Sequence, residues 1–172
     1  MEISDLLQEL YGRVGPLASE AVEGLDVDQL NHRPTDDANS IGWLVWHIAR
    51  VLDHQICEQS GEQQLWLDGD WAARMGRTPD ANDIGFGQSA EQAAAVRVEK
   101  ASDVLDYLNA VCARTGQYLG TLHAGDLEKI VDTSWDPPVT LGVRLVSVAD
   151  DCLQHAGQAM YVRGMLGHRG KY

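Results

Sequence analysis

No apolar run in this 172-residue chain reaches the roughly 18 residues that a membrane-spanning helix needs, so a membrane protein is not expected. Positive charge is scarce: 13 Lys and Arg stand against 26 Asp and Glu, leaving a formal net charge of −13. An acidic surface of this kind repels phosphate backbones and anionic lipids, so neither nucleic acid nor membrane is an expected partner. Cysteine is sparse and unpatterned. Cys57, Cys112 and Cys152 are odd in number and form no CxxC, which reads as reduced thiols in a cytoplasmic protein and excludes a disulfide framework. The opening M-E-I-S-D-L-L is acidic and amphipathic, unlike a secretory leader. Repeats and low-complexity tracts are absent, and strand signals are weak throughout, the best being a short one near Ile130-Val131.

What is present is helical periodicity in a chain that is 44% hydrophobic and long enough for one domain with a proper core. A first pattern runs from about Ile3 to Val22, with Gly15-Pro16 expected to kink or interrupt it. A second starts after Asn39-Ser40, either of which can cap it, and reaches about Gln59 before Gly61. A third begins near Ser102 and carries Leu105, Leu108, Val111 and Leu119 on one face. The fourth runs from about Thr140, after Pro137-Pro138, to about Leu166. About forty residues, Ser60 to Ala101, join the second and third patterns. They contain Trp66, Trp71, the Gly-rich piece I-G-F-G and a capping box at Ser89 to Gln92. A connection of that length is too long for a tight turn and lets the helices it joins run parallel. The expectation is a single all-α domain over residues 1–172, a four-helix bundle with a long crossover between its second and third helices.

The most informative stretch is D-C-L-Q-H-A-G-Q, Asp151 to Gln158, inside the fourth pattern. Residues four apart lie about 40° apart on one helix face, so Asp151 and His155 stack one turn above the other. A carboxylate on a core-facing stripe is costly unless compensated, and a metal ion is one compensation. A histidine from another helix would complete a two-His, one-carboxylate set with open positions, as catalytic metals require. His47 sits in the middle of the second pattern. His54 lies two turns further on, too far for one ion to take both easily. His47, Asp151 and His155 are therefore the economical set. A packed core histidine at 47 and a plain i,i+4 pair between Asp151 and His155 remain the rival readings. Gln158, three past His155, could hold a ligand or a water, with core packing or a place on the helix exterior equally open. Arg50, three past His47, could meet a carboxylate of a bound small molecule, although a surface ion pair is the commoner role. Trp43 could wall a pocket, although core packing is the commoner role; the crossover with Trp66, Trp71 and Phe86 is a natural place for selectivity, or equally a shield for the bundle or a dimer contact; and Cys152 is read as core.

At these residues the chain resembles the DinB-like superfamily of metal proteins, most closely the actinobacterial branch of mycothiol transferases and the N-terminal domain of mycothiol-dependent maleylpyruvate isomerase. N-H-R-P-T-D-D-A-N-S-I-G-W-L-V-W-H-I-A-R-V at Asn31 to Val51, S-A-E-Q-A-A-A-V-R at Ser89 to Arg97, and the run from Trp135 to Gly164 carry the likeness. The resemblance implies a four-helix bundle with a divalent metal near one end, held by a histidine that falls on His47 and a pair that falls on Asp151 and His155. Many relatives have His or Glu at the first of that pair; Asp is one methylene shorter than Glu.

By the same resemblance the metal is zinc first, with nickel or iron as alternatives, and it activates a low-molecular-weight thiol such as mycothiol for transfer to an electrophilic substrate. Homodimers are common among such bundles. Two other functions fit the same residues: a metal-dependent hydrolase or isomerase without a thiol cofactor, and a metal-binding stress protein without turnover.

Overall fold

The computed structural model describes residues 1–170 and is mostly helical. The first periodic stretch forms two helices, α1 (Ile3–Tyr11) and α2 (Val14–Val22). The interruption falls at Gly12-Arg13, just ahead of Pro16. Proline lacks an N–H and its ring excludes the carbonyl four residues back, so Pro16 is tolerated only in the first turn of a new helix, where it sits. A short α3 (Val27–Asn31) follows. Next come α4 (Ile41–Ser60), a 3-10 turn at Leu65–Leu67, and two short helices, α5 (Trp71–Arg74) and α6 (Ala90–Ala94). The long α7 (Ala101–Gly120) leads through a second 3-10 turn, Ala124–Glu128, to a two-stranded antiparallel hairpin of β1 (Ile130–Asp132) and β2 (Val139–Thr140). The chain returns in α8 (Leu141–Met165).

The helix ends follow local chemistry. Ser40 Oγ accepts from Trp43 N at 3.1 Å and Thr140 Oγ1 from Val143 N at 3.3 Å, each satisfying an orphan amide of a first turn. Gly61 closes α4 in the left-handed conformation, φ 76°. Ser89 and Gln92 form the expected reciprocal capping box of α6.

Side-chain contacts fix how the long helices run. On α4 and α7, Arg50 meets Tyr107 and Cys57 meets Arg114, so these two helices run parallel, as the long crossover between them requires. On α4 and α8, His47 faces Asp151 while Val51 and Val148 wall a common pocket, so this pair is antiparallel. The Tyr11 hydroxyl donates to the Leu145 carbonyl at 2.6 Å and the Arg163 guanidinium to the Glu23 carbonyl at 2.6 Å, aligning α1 and α2 with α8. Between them Val14, Leu44, Ile48, Leu52, Leu108, Leu145, Cys152 and Ala156 form a closed apolar core. The central element is α4: every residue from Ile41 to Asp53 is buried. Two consequences follow for the site. His47 is held rigidly, and any charged side chain on that stretch must find its partners inside the protein.

Among the described residues, no helix is long and apolar enough to cross a membrane.

Candidate metal centre

The antiparallel register of α4 and α8 brings His47, Asp151 and His155 together. Their ligand atoms all lie within 4.8 Å of one another. His47 Nε2 is 3.6 Å from Asp151 Oδ2, and His155 Nε2 is 3.5 Å from Asp151 Oδ1. The two imidazoles meet edge to face, centroids 4.7 Å apart. The outer nitrogens are already committed. His47 Nδ1 bonds the backbone carbonyl of Ile84, which can only accept, so the proton resides on Nδ1 and the Nε2 lone pair faces inward. His155 Nδ1 is 2.9 Å from Gln158 Oε1, which favours the same tautomer.

Three lone-pair atoms thus converge, and Asp151 Oδ2 is buried with no hydrogen-bond partner. Such an arrangement is unfavourable for the side chains alone and is relieved by a cation, either a proton on an imidazole or a metal ion. The group therefore fits a divalent metal with three protein ligands and an open position. Burial by itself would raise Asp151, but the two histidines beside it outweigh burial and hold its carboxyl well below the usual range. Burial lowers His155, but its bonds to Asp151 and Gln158, with the Asp151 charge, outweigh that and raise it.

The crossover supplies the roof. Trp43 stacks on His47, centroids 4.7 Å apart at 15°, and its indole N–H donates to Gln88 Oε1 at 2.9 Å. Gly85 presses its backbone onto the same ring pair: a Cβ there would lie 2.8 Å from His47 Nδ1 and 2.9 Å from Trp43 Cζ2, and its φ is +90°. Only glycine meets both demands. Gly85→Ala should therefore destabilise the fold by about 1–3 kcal/mol and displace the Ile84 carbonyl from His47. Chemical denaturation with histidine NMR checks this; an unchanged His47 Nδ1–H resonance would refute the roof's role.

The remaining candidates fall in different places. Gln158 touches His155, as a residue steadying a ligand must. Arg50 is not at the surface, where an ion pair was the commoner expectation. It is fully buried and donates to the carbonyls of Asp83 (2.9 Å) and Ala81 (3.1 Å), to Gln64 Oε1 (2.9 Å) and to Tyr107 (3.0 Å), beside Asp53. A guanidinium on a helix with no exposed face must find partners inside the protein, and Arg50 finds them on the crossover, which it clamps to α4. His54 bonds the Ala81 carbonyl at 3.1 Å and belongs to the same clamp. Trp66 is buried against Arg50, and Trp71 packs on Tyr107, so neither lines the site; Phe86 does, with 88% of its surface exposed. Ile84 and Gly85 were not singled out by sequence reasoning; the run of glycines in I-G-F-G was the available sign. Arg144 and Gln55, which line the pocket beside His47 and Asp151, carried no sign at all.

The protein's own thiols are poor nucleophiles. Burial pushes Cys57 and Cys112 up to about 11, and Cys152 far above its ordinary value. Burial thus disfavours the thiolate at all three, which suits chemistry on a thiol from outside better than on the protein's own.

Residues 16–167 match the family model described as mycothiol-S-transferase. Among solved structures, the chain is similar to a conserved protein from Enterococcus faecalis, with 35% sequence identity and a TM-score of 0.88 over 95% of this chain and 96% of that one. No curated protein matches the chain.

Proposed function

This chain belongs to the mycothiol-S-transferase family, and on that premise we propose that it is a metal-dependent thiol S-transferase. It takes mycothiol or a similar low-molecular-weight thiol as donor and an electrophilic small molecule as acceptor. In this reading residues 1–172 form one domain, a four-helix bundle whose members are the α1–α2 pair, α4, α7 and α8. His47, Asp151 and His155 hold a divalent metal, zinc in the first instance and nickel or iron as alternatives. The observation that carries the reading is the convergence of two inward-facing Nε2 lone pairs and an unpartnered carboxylate oxygen at the edge of an open pocket.

When bound, the metal would supply the Lewis acidity that keeps a thiol deprotonated at neutral pH. The chain's own residues do the rest. Ile84 and Gln158 fix the two imidazoles in the tautomer that leaves Nε2 free. Asp151, held ionised, offsets part of the ion's charge. Trp43, Ile84 and Val148 exclude water from one side, which leaves the sulfur less solvated and more reactive. In the transfer, a sulfur–carbon bond forms to the electrophile. The electron pair of the broken bond leaves with the departing group, and the thiol proton passes to solvent.

With zinc, mycothiol and 1-chloro-2,4-dinitrobenzene, chloride release should be stoichiometric with thioether formed and should fall at least about 100-fold in His155→Ala. Hydrolysis of an ester substrate at the same rate with and without thiol would instead establish the hydrolase. Absence of turnover from a metal-loaded protein across a panel of electrophiles would favour the non-catalytic metal protein.

A further inference from the structure

Beside the three ligands lies a pocket of about 380 Å³, open to solvent at Phe86. The α4–α8 register divides it along its length. His47 and Asp151 stand at one end, Val51 and Val148 wall the middle, and Gln55 and Arg144 stand at the other end. Arg144 and Asp151 are seven residues apart on α8, about 10 Å along the axis. The far end has unused hydrogen-bonding capacity. Arg144 spends one N–H on Asp132 Oδ2 at 2.8 Å, while its Nε is buried without a partner. Gln55 Oε1 is likewise buried without a partner, and turning the carboxamide about its last torsion presents N–H at the same place. Asp132 leaves that Nε unpaired: its Oδ2 takes the other N–H, and its Oδ1 accepts instead from Ser134 N and Oγ. An Arg N–H left unpaired in a half-apolar pocket is unfavourable unless a ligand oxygen meets it.

We propose that this pocket takes the electrophile, and that the electrophile is a compact molecule with an apolar body and a carboxylate at the end remote from the reacting carbon. Arg144 holds the carboxylate, with Gln55 beside it, and the apolar body lies between Val51 and Val148. A carboxylate suits the site better than a neutral amide because the guanidinium offers a charge-assisted bond. That the occupant is the electrophile rests on the thiol-transfer reading; carboxylate recognition at Arg144 does not.

Calorimetric titration of the protein as purified, with 3-phenylpropionate and 3-phenylpropanamide, tests this. The carboxylate should bind at least about tenfold more tightly than the amide. Arg144→Met should abolish that preference and leave amide binding within about twofold. Arg144→Lys keeps the ion pair to Asp132 if the methionine variant fails to fold, and it should still lose most of the preference because ammonium cannot present the Nε–H edge. His155→Ala should keep the preference. Equal binding of carboxylate and amide by the wild type, or an unchanged preference in both Arg144 variants, would overturn the proposal. Loss of carboxylate binding in His155→Ala with retention in Arg144→Met would place the carboxylate on the metal and would also overturn it. Failure of the protein to take up added zinc would sink the transferase reading while leaving this comparison intact.

Discussion

Asp53→Ala is expected to cost about 3–5 kcal/mol of stability. A domain of ordinary stability, about 5–15 kcal/mol, would lose about a fifth or more of its total. The reason is the number of groups that converge on one buried carboxylate. Asp53 Oδ1 accepts from Leu65 N at 2.9 Å; Oδ2 accepts from Trp66 N at 2.8 Å and the Tyr107 hydroxyl at 2.8 Å, with Arg50 Nη1 at 3.4 Å. Both Asp53 and Arg50 side chains are fully withdrawn from solvent. Alanine would strand a guanidinium, two amides and a hydroxyl together, and water has no access to replace the lost acceptor. Arg50→Met should be milder, since the Asp53 carboxylate it leaves keeps its bonds from Leu65 N, Trp66 N and the Tyr107 hydroxyl. It would still free the carbonyls of Ala81 and Asp83, next to the Ile84 carbonyl that orients His47. The two variants thus separate stability from site geometry: Asp53→Ala should lower the urea midpoint most, and Arg50→Met should weaken metal retention more than its stability loss explains. A midpoint change for Asp53→Ala equivalent to under about 1 kcal/mol would mean that the network is not the internal anchor its geometry indicates.

That network also marks where sequence reading stops. The long helices were legible because their caps are local: Ser40, Gly61, Ser89 and Thr140 each act within a few residues of themselves. The Asp151–His155 spacing was legible for the same reason, as an i,i+4 relation on one helix. His47 was reachable as the mid-helix histidine inside the recognised Asn31–Val51 motif. Arg50 was not, because α4 lacks the exposed face that helical patterns presuppose. Its periodicity gives no hint that an arginine in the stripe points inward. The roof over His47 was hidden more deeply. It consists of a backbone carbonyl and an absent Cβ, neither of which has a residue-type signature, brought 37 positions along the chain to the ring they touch. The hairpin strand β2 and the far end of the pocket depend on the same kind of long-range placement, in which residues distant in sequence meet only once α4 and α8 have packed.

The second large effect concerns acid and metal together, and its sign reverses between two forms of one protein. Without metal, His155 has a folded pKa raised above its ordinary 6.5, so its contribution is complete below that value and is lost as pH rises through the folded pKa. Asp151 has a folded pKa held below its ordinary 3.8, so its contribution is complete above that value and is lost as pH falls through the folded pKa. The chelator-treated protein should therefore gain most from this pair between about pH 4 and 6.5, and should lose the His155 part of that gain as pH rises through its raised pKa. Zinc demands the opposite. It needs the Nε2 lone pair that a proton occupies at His155, so occupancy should rise as pH climbs through the same range. At a free zinc concentration a thousandfold above Kd the bound ion adds about 4 kcal/mol. That corresponds to about 10 °C in Tm for a domain of this size. The gap between the two melting curves should accordingly be small near pH 5 and widest near pH 8, and His155→Ala should remove most of it at every pH. Parallel curves from pH 5 to 8, or an equal zinc-dependent gain in His155→Ala, would show that zinc binds somewhere other than between α4 and α8. The convergence of His47, Asp151 and His155 would then be a proton-stabilised core contact and not a metal centre.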